Sequence, residues 1–261
     1  EPQPQISIPI SESDQRFPVH RIFCVGRNYH AHAAEMGVTI DKSAAQPFYF
    51  NKHPSAIIET GSTLIYPLET ANYHFEMELV LALGSGGFCV SPEQASTLVY
   101  GYAAGLDMTR RDLQQRAKDA AHPWDLGKDF EQAAVIGAIQ RKTEPQLIDS
   151  GGIRLSVNGA VRQHATLDLM IWSAAELIAD LSRYYVLLPG DLIYTGTPEG
   201  VGPVTPGDEL KGSVEGGGEV CCTIGSPRGC AGGQGPKVRR PRWHRPASVI
   251  PRTGVFQARE K

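Results

Sequence analysis

Apolar positions along the chain fall into short runs punctuated by Gly, Pro, Asn and Asp, a rhythm of strands and turns. Arg21–Gly26 is β-branched and aromatic and stops at a glycine, as a buried strand does. Residues 47–51 form a second short run. Residues 76–83 begin polar and finish in Leu79-Val-Leu-Ala-Leu83, a strand that becomes covered on both faces. Further strands are predicted over 101–108 and 192–195. Asn158-Gly159, flanked by 153–157 and 161–165, is a strong hairpin signal. A closing strand pair is expected over 209–214 and 219–224, after the turn Pro206-Gly-Asp. Helical spacing is rarer. It predicts a helix over 29–36, capped by Asn28 and stopped by Gly37. Others are expected over 92–100, opening on Pro92, over 109–118, and over 167–181 as an amphipathic helix. The first 20 residues, rich in Pro and Ser, read as a lead-in outside the core. Strands outnumber helices and hairpins are prominent. The fold class is therefore α+β and β-rich, with a mixed or antiparallel sheet rather than a doubly wound one.

The 261 residues suffice for one large domain or two small ones. No apolar stretch approaches the ~20 residues of a membrane span, and no leader-like opening suggests secretion. Five cysteines without paired C-x-x-C spacing argue against a disulfide framework and for a reducing cytoplasm. Charge is distributed unevenly. Residues 226–261 hold nine of the 25 Lys+Arg and one of the 28 Asp+Glu, a net +8, against −11 for residues 1–225. Three readings of this Gly/Pro/Arg-rich tail stay open: an arm for nucleic acid or another anionic partner, a disordered terminus, or a change of reading frame near Cys221, where the strand rhythm stops. Nucleic acid is the least favoured. The expected organisation is an N-terminal part over 1–70, a catalytic part over 71–225 and the tail over 226–261.

The chain lacks a G-x-S-x-G elbow, a Walker phosphate loop, a G-x-G-x-x-G turn and an H-E-x-x-H pair. What it has is acids in a particular pattern. Glu76 and Glu78 are two apart on a strand and share one face. Taken alone, such a pair is an ordinary exposed strand face. Here the strand soon becomes buried, so the pair needs a counter-charge, and Mg²⁺ or Mn²⁺ suits carboxylate oxygens. Asp107, closing the apolar strand before it, offers a third ligand. His32 and Glu35, at i and i+3 on a short helix, can hydrogen-bond, leaving the other imidazole nitrogen to take a proton from water. By spacing alone an ordinary surface pair is the favoured reading. His30 points elsewhere and reads as surface. Arg111 and Gln114, Lys128, and Thr197 in the loop 195–202 suit an anionic substrate, though each alone is an ordinary solvated group.

Together these segments resemble the fumarylacetoacetate hydrolase family. The motifs are Gly26-Arg-Asn-Tyr with His32-Ala-Ala-Glu35-Met, Phe75-Glu-Met-Glu78, Gly105-Leu-Asp107 continuing through Arg111-Asp-Leu-Gln114, Lys128-Asp-Phe, and Thr195-Gly-Thr-Pro-Glu-Gly-Val-Gly202, in the family's order. Within it, 17–29 and 108–114 are most similar to the bacterial branch acting on fumarylpyruvate. The resemblance implies a mixed β-roll of the family's C-terminal-domain type with peripheral helices, a homodimer, and cleavage of a carbon–carbon bond in an acylpyruvate, a small 2-oxo acid. It implies Glu76, Glu78 and Asp107 as ligands of one Mg²⁺ or Mn²⁺ ion, and His32 with Glu35 as the water-activating dyad. Lys128 is implied as a catalytic and substrate-binding donor, and Arg111, Gln114 and Thr197 as substrate-binding. Decarboxylation of oxaloacetate, or an isomerase or hydratase reaction on a related 2-oxo acid, is the alternative in the same fold. After Val220 the chain departs from the family pattern, which bears on the closing strand.

Overall fold

The computed structural model describes residues 5–228. The expectations for the tail therefore lie, beyond Arg228, outside the described residues. The central element is an eight-stranded mixed sheet. Its path runs Phe48–Lys52, Arg21–Gly26, Asp191–Tyr194, Met77–Leu83, Val99–Asp107, Ala134–Ile136 and Ile57–Glu59, with Gln140–Arg141 also paired to Val99–Asp107. Two pairings in it are parallel, Asp191–Tyr194 with Arg21–Gly26 and Ala134–Ile136 with Ile57–Glu59. All seven residues of Met77–Leu83 are buried, the physical reason for their unbroken apolar run.

A second sheet of five strands covers it. Its order is Ala160–Thr166, Gly152–Val157, Glu209–Val214, Gly218–Gly225 and Ser62–Ile65. Gly152–Val157 packs on Met77–Leu83, and Gly218–Gly225 on Val99–Asp107. The expected hairpin is present, with Asn158 and Gly159 at φ 51° and 79°, the left-handed pair that a tight turn between twisted strands requires. The closing strand also forms: Gly218–Gly225 pairs in parallel with Ser62–Ile65, burying Cys222 and Ile224. The closing strand expected over 219–224 is thus present and runs to Gly225, so the strand rhythm does not stop at Cys221.

Five α-helices are described: α1 (His30–Glu35), α2 (Pro92–Ala95), α3 (Arg111–Asp119), α4 (Asp125–Lys128) and α5 (Ala174–Tyr184). Several differ from the sequence reading. Asn28 does not cap α1; Tyr29 holds the cap position without a side-chain bond. The Asn28 amide instead donates to Trp172 O and Thr195 O and accepts from Trp172 N, because a fully buried amide must satisfy its whole polar complement. The predicted 92–100 helix is only α2, since Val99 already belongs to the central sheet. The predicted 167–181 helix breaks: a 3₁₀ turn at Leu167–Leu169 precedes an extended stretch locked onto Asn28, and Ser173 then opens α5 in a capping box with Glu176. The lead-in is not outside the core. Ser7–Pro9 pairs with Arg16–Pro18, and Ile8, Ile10, Phe17 and Val19 are buried. Its prolines are tolerated because this ribbon has only two strands.

Candidate active site

The three acids meet because of sheet register. Met77 lies opposite Leu106 and Glu78 opposite Gly105. Glu76 sits in the break between Tyr73–Phe75 and Met77–Leu83, and its carbonyl accepts from Asp107 N at 2.8 Å. Glu76 and Glu78 share a strand face, and Asp107 lies directly across from Glu76. One carboxylate oxygen from each falls within 4.8 Å of the others, and all three residues are buried.

Their counter-charges are unequal. Lys128, at the end of α4, donates to Asp107 Oδ2 at 2.6 Å, Glu76 Oε2 at 3.0 Å and Thr109 Oγ1 at 2.7 Å. Arg111, opening α3, donates to Glu76 Oε1 and, at 2.7 Å, to Gln114 Oε1. Burial alone would raise the Glu76 carboxyl, but Lys128 and Arg111 hold it far below the usual range. The same carboxylates keep the buried Lys128 ammonium charged. Glu78 has no cationic partner among the described residues; its bond is from Gly196 N at 2.8 Å. Burial, followed by the charges of Asp107 and Glu76, pushes its pKa well up. Gly196 comes this close with φ +96°, where a Cβ would lie 2.7 Å from Asn28 Cβ.

These residues fit a divalent cation. The donors are three carboxylates, the hard oxygen ligands that Mg²⁺ and Mn²⁺ take. Asp107 Oδ1 is buried and receives no aligned hydrogen bond, although Lys52 Nζ approaches it at 2.8 Å.

The His–Glu pair is present. His32 Nδ1 lies 3.1 Å from Glu35 Oε2, and Glu35 Oε1 accepts from Gly200 N at 3.3 Å. His32 is buried and lines one cleft with Glu76, Arg111, Gln114, Lys128 and Thr197. Every residue singled out in the sequence therefore lies in this cleft or directly against it. His30 is exposed, as read. The cleft is narrow, with about 20 Å³ of water-accessible space, roughly one water.

Sequence reasoning missed two buried supports. Lys52, 2% exposed, donates to Met108 O at 3.2 Å and to Lys128 O, tying the ends of two site-bearing segments together. Gln163, fully buried, donates to Thr197 Oγ1 and Pro198 O at 2.8 Å each and accepts from Met77 N. This fixes the Thr197 hydroxyl as an acceptor there, leaving its proton for the cleft. A signal existed for Gln163, a polar residue on the same strand parity as buried Ala165. For Lys52 there was only its place at a strand's end.

A β-rich fold with buried carboxylates converging at its strand ends beside a His–Glu pair defines an enzyme that binds a divalent metal ion. Residues 21–225 match the family model for the fumarylacetoacetate hydrolase C-terminal domain, and the chain belongs to the fumarylacetoacetate hydrolase family. It is 55% identical to a fumarylpyruvate hydrolase of a Ralstonia species over 190 residues, 73% of this chain and 98% of that protein. It is 38% identical to the mitochondrial oxaloacetate tautomerase of Mus musculus over 197 residues, 75% of this chain and 87% of that protein. Among solved structures it resembles fumarylpyruvate hydrolase from Pseudomonas aeruginosa in complex with Mn²⁺ and pyruvate, with TM-score 0.83 and 44% identity over 87% of this chain and 98% of that one.

Proposed function

We propose that the protein hydrolyses a carbon–carbon bond in an acylpyruvate, with fumarylpyruvate yielding fumarate and pyruvate. The observation that carries this is buried His32, paired with the exposed Glu35, in the same cleft as Glu76, with Glu78 and Asp107 clustered against Glu76. The 55% identity to a fumarylpyruvate hydrolase supports the choice of substrate. Glu76, Glu78 and Asp107 would hold one Mg²⁺ or Mn²⁺ ion. When bound, that ion supplies Lewis-acid polarisation of the oxygens of a 2-oxo acid.

The chain's own groups do the rest. Glu35 accepts from Nδ1–H of His32, which leaves Nε2 to take a proton from water. The resulting hydroxide adds to the carbonyl carbon of the fumaryl group, the one bonded to the pyruvyl methylene. The bond between that carbon and the pyruvyl methylene then breaks, and its electron pair leaves with the methylene carbon, which is afterwards protonated to pyruvate. Lys128 and the Thr197 hydroxyl, which line the same cleft, would serve as donors to the developing oxyanion. Arg111 and the free amide hydrogens of Gln114 hold the pyruvyl carboxylate.

The 38% identity to an oxaloacetate tautomerase favours a second reading, proton transfer on a 2-oxo acid without attacking water. One experiment separates them. With Mn²⁺ or Mg²⁺ the protein should consume fumarylpyruvate and release pyruvate, EDTA should abolish this, and His32→Ala should lower kcat by roughly 10²–10⁴-fold. No consumption above the EDTA control refutes the hydrolase; oxaloacetate tautomerisation that survives His32→Ala supports the second reading. The same proposal includes a homodimer, supported by the exposed apolar side chains Phe88 and Val186 flanking the bridge between Gly87 and Leu187, and a cytoplasmic location, supported by cysteines without disulfide spacing. Sedimentation equilibrium and cell fractionation test the two parts.

A further inference from the structure

Arg111, Gln114 and Lys118 stand at i, i+3 and i+7 on α3 and so share one face of that helix. The first two reach the deep end of the cleft beside Glu76. Lys118 lies about 10 Å beyond Arg111 along the axis, and it too lines the cleft. Its ammonium sits 4.9 Å from the Trp124 ring centroid, and Trp124 is in turn braced edge-on by Phe48 at 4.9 Å. Arg27 lines the same cleft from the turn after Arg21–Gly26. Its backbone holds φ +60°, a left-handed conformation costing a non-glycine residue about 1–2 kcal/mol, and such strain gathers at functional sites.

Among the described residues neither Arg27 nor Lys118 pairs with a carboxylate. Burial first, and then the charges of Arg27 and Arg111, lower the Lys118 pKa to about 8. Two cations held together without an anion repel each other, and a carboxylate placed between them relieves both. The cleft thus has a deep end where Arg111 and Lys128 pair with the buried acids, and a separate outer part whose two cations, Lys118 and Arg27, have no carboxylate partner among the described residues.

We propose that Lys118 and Arg27 form a second carboxylate subsite, which selects acylpyruvates whose acyl group ends in a carboxylate over those with a neutral acyl group. This rests on the acylpyruvate reading above for the orientation of the substrate. The pyruvyl end enters first, and the carboxylate at the far end of the carbon chain is caught by Lys118 over Trp124 and by Arg27.

The test uses two ligands that the enzyme cannot cleave, 2-oxoheptanedioate and 2-oxoheptanoate, equal in length and differing in the terminal carboxylate. Calorimetric titration of the Mn²⁺-loaded protein should show the dianion binding about tenfold tighter or more, the worth of one charge-assisted hydrogen bond. Lys118→Gln and Arg27→Gln should each reduce that ratio, and the double variant should bring it near one. Equal binding of both ligands by the parent protein, or a ratio that survives in the double variant, overturns the subsite. The kinetic counterpart is the ratio of kcat/KM for fumarylpyruvate over acetylpyruvate, which should fall in Lys118→Gln through KM. If the parent protein shows the binding preference yet cleaves neither substrate, the subsite stands and the hydrolase reading fails.

Discussion

Buried carboxylates need counter-charge, and each of the three here obtains it differently: Glu76 from Arg111 and Lys128, Asp107 from Lys128 and Lys52, and Glu78 from a backbone N–H alone. Lys52 is informative because both it and Asp107 are essentially sealed from water. Removing one partner of a buried ion pair strands the other, at about 3–5 kcal/mol. Lys52→Met should therefore lower the thermal midpoint markedly in EDTA, and less with Mn²⁺ present, since the cation takes over the neutralisation of Asp107. Equal losses in both conditions would show that Lys52 acts through packing instead. Glu76 and Glu78 were legible in the sequence because strand alternation places them on one face, and Asp107 because it ends an apolar run. Lys52 was not, since one lysine at the end of a short strand carries the same local pattern as a solvated one. Its burial depends on α4 folding back from far along the chain.

Elements place these groups through close backbone contacts that a pattern of apolar positions does not encode. The turn α4 brings Lys128 to the acids, and it lies so near α3 that a Cβ on Gly127 would meet Gln114 N at 2.8 Å and Gln114 Cα at 2.9 Å. Those are backbone atoms and cannot step aside as a flexible side chain would. Gly127→Ala should cost about 1–3 kcal/mol, the range for overpacking, and should shift Lys128 away from Glu76 and Asp107. The expected outcome is a lower denaturation midpoint together with a fall in kcat; a kcat equal to the parent's would mean that α4 can move without disturbing Lys128. Elements with local signals were readable: the Asn158-Gly159 hairpin, the strand Arg21–Gly26 and the body of α3, although its expected first residues, Thr109–Arg110, are a short strand instead. Those decided by distant partners were not. The apolar spacing over 167–181 looked helical throughout, yet Asn28 holds residues 171 and 172 extended by hydrogen bonds from across the molecule. The Pro-rich opening looked peripheral, yet Ile8 and Phe17 are buried because the ribbon folds onto the core.

At the scale of the whole molecule, residues 76, 78 and 107 come together only when Met77–Leu83 and Val99–Asp107 pair in register. The unfolded chain has no such cluster, so a cation that binds it binds the native state selectively. By linkage this raises stability by about 2.7 kcal/mol when free metal stands at 100 times Kd. Thermal unfolding monitored against increasing Mn²⁺ should thus show a midpoint that climbs with the logarithm of metal concentration. Glu78→Gln separates this effect from nonspecific binding of cations to an acidic protein. Gln keeps the shape and can still accept from Gly196 N, but it removes the acid that lacks a cationic partner. The variant should be at least as stable as the parent in EDTA, because a carboxyl disfavoured in its charged form by burial has been replaced by a neutral amide. It should also lose most of the metal-dependent rise. A parent midpoint insensitive to Mn²⁺, or a rise retained in full by Glu78→Gln, would separate the three acids from metal binding and leave them as a buried charge network neutralised by Lys52, Arg111 and Lys128.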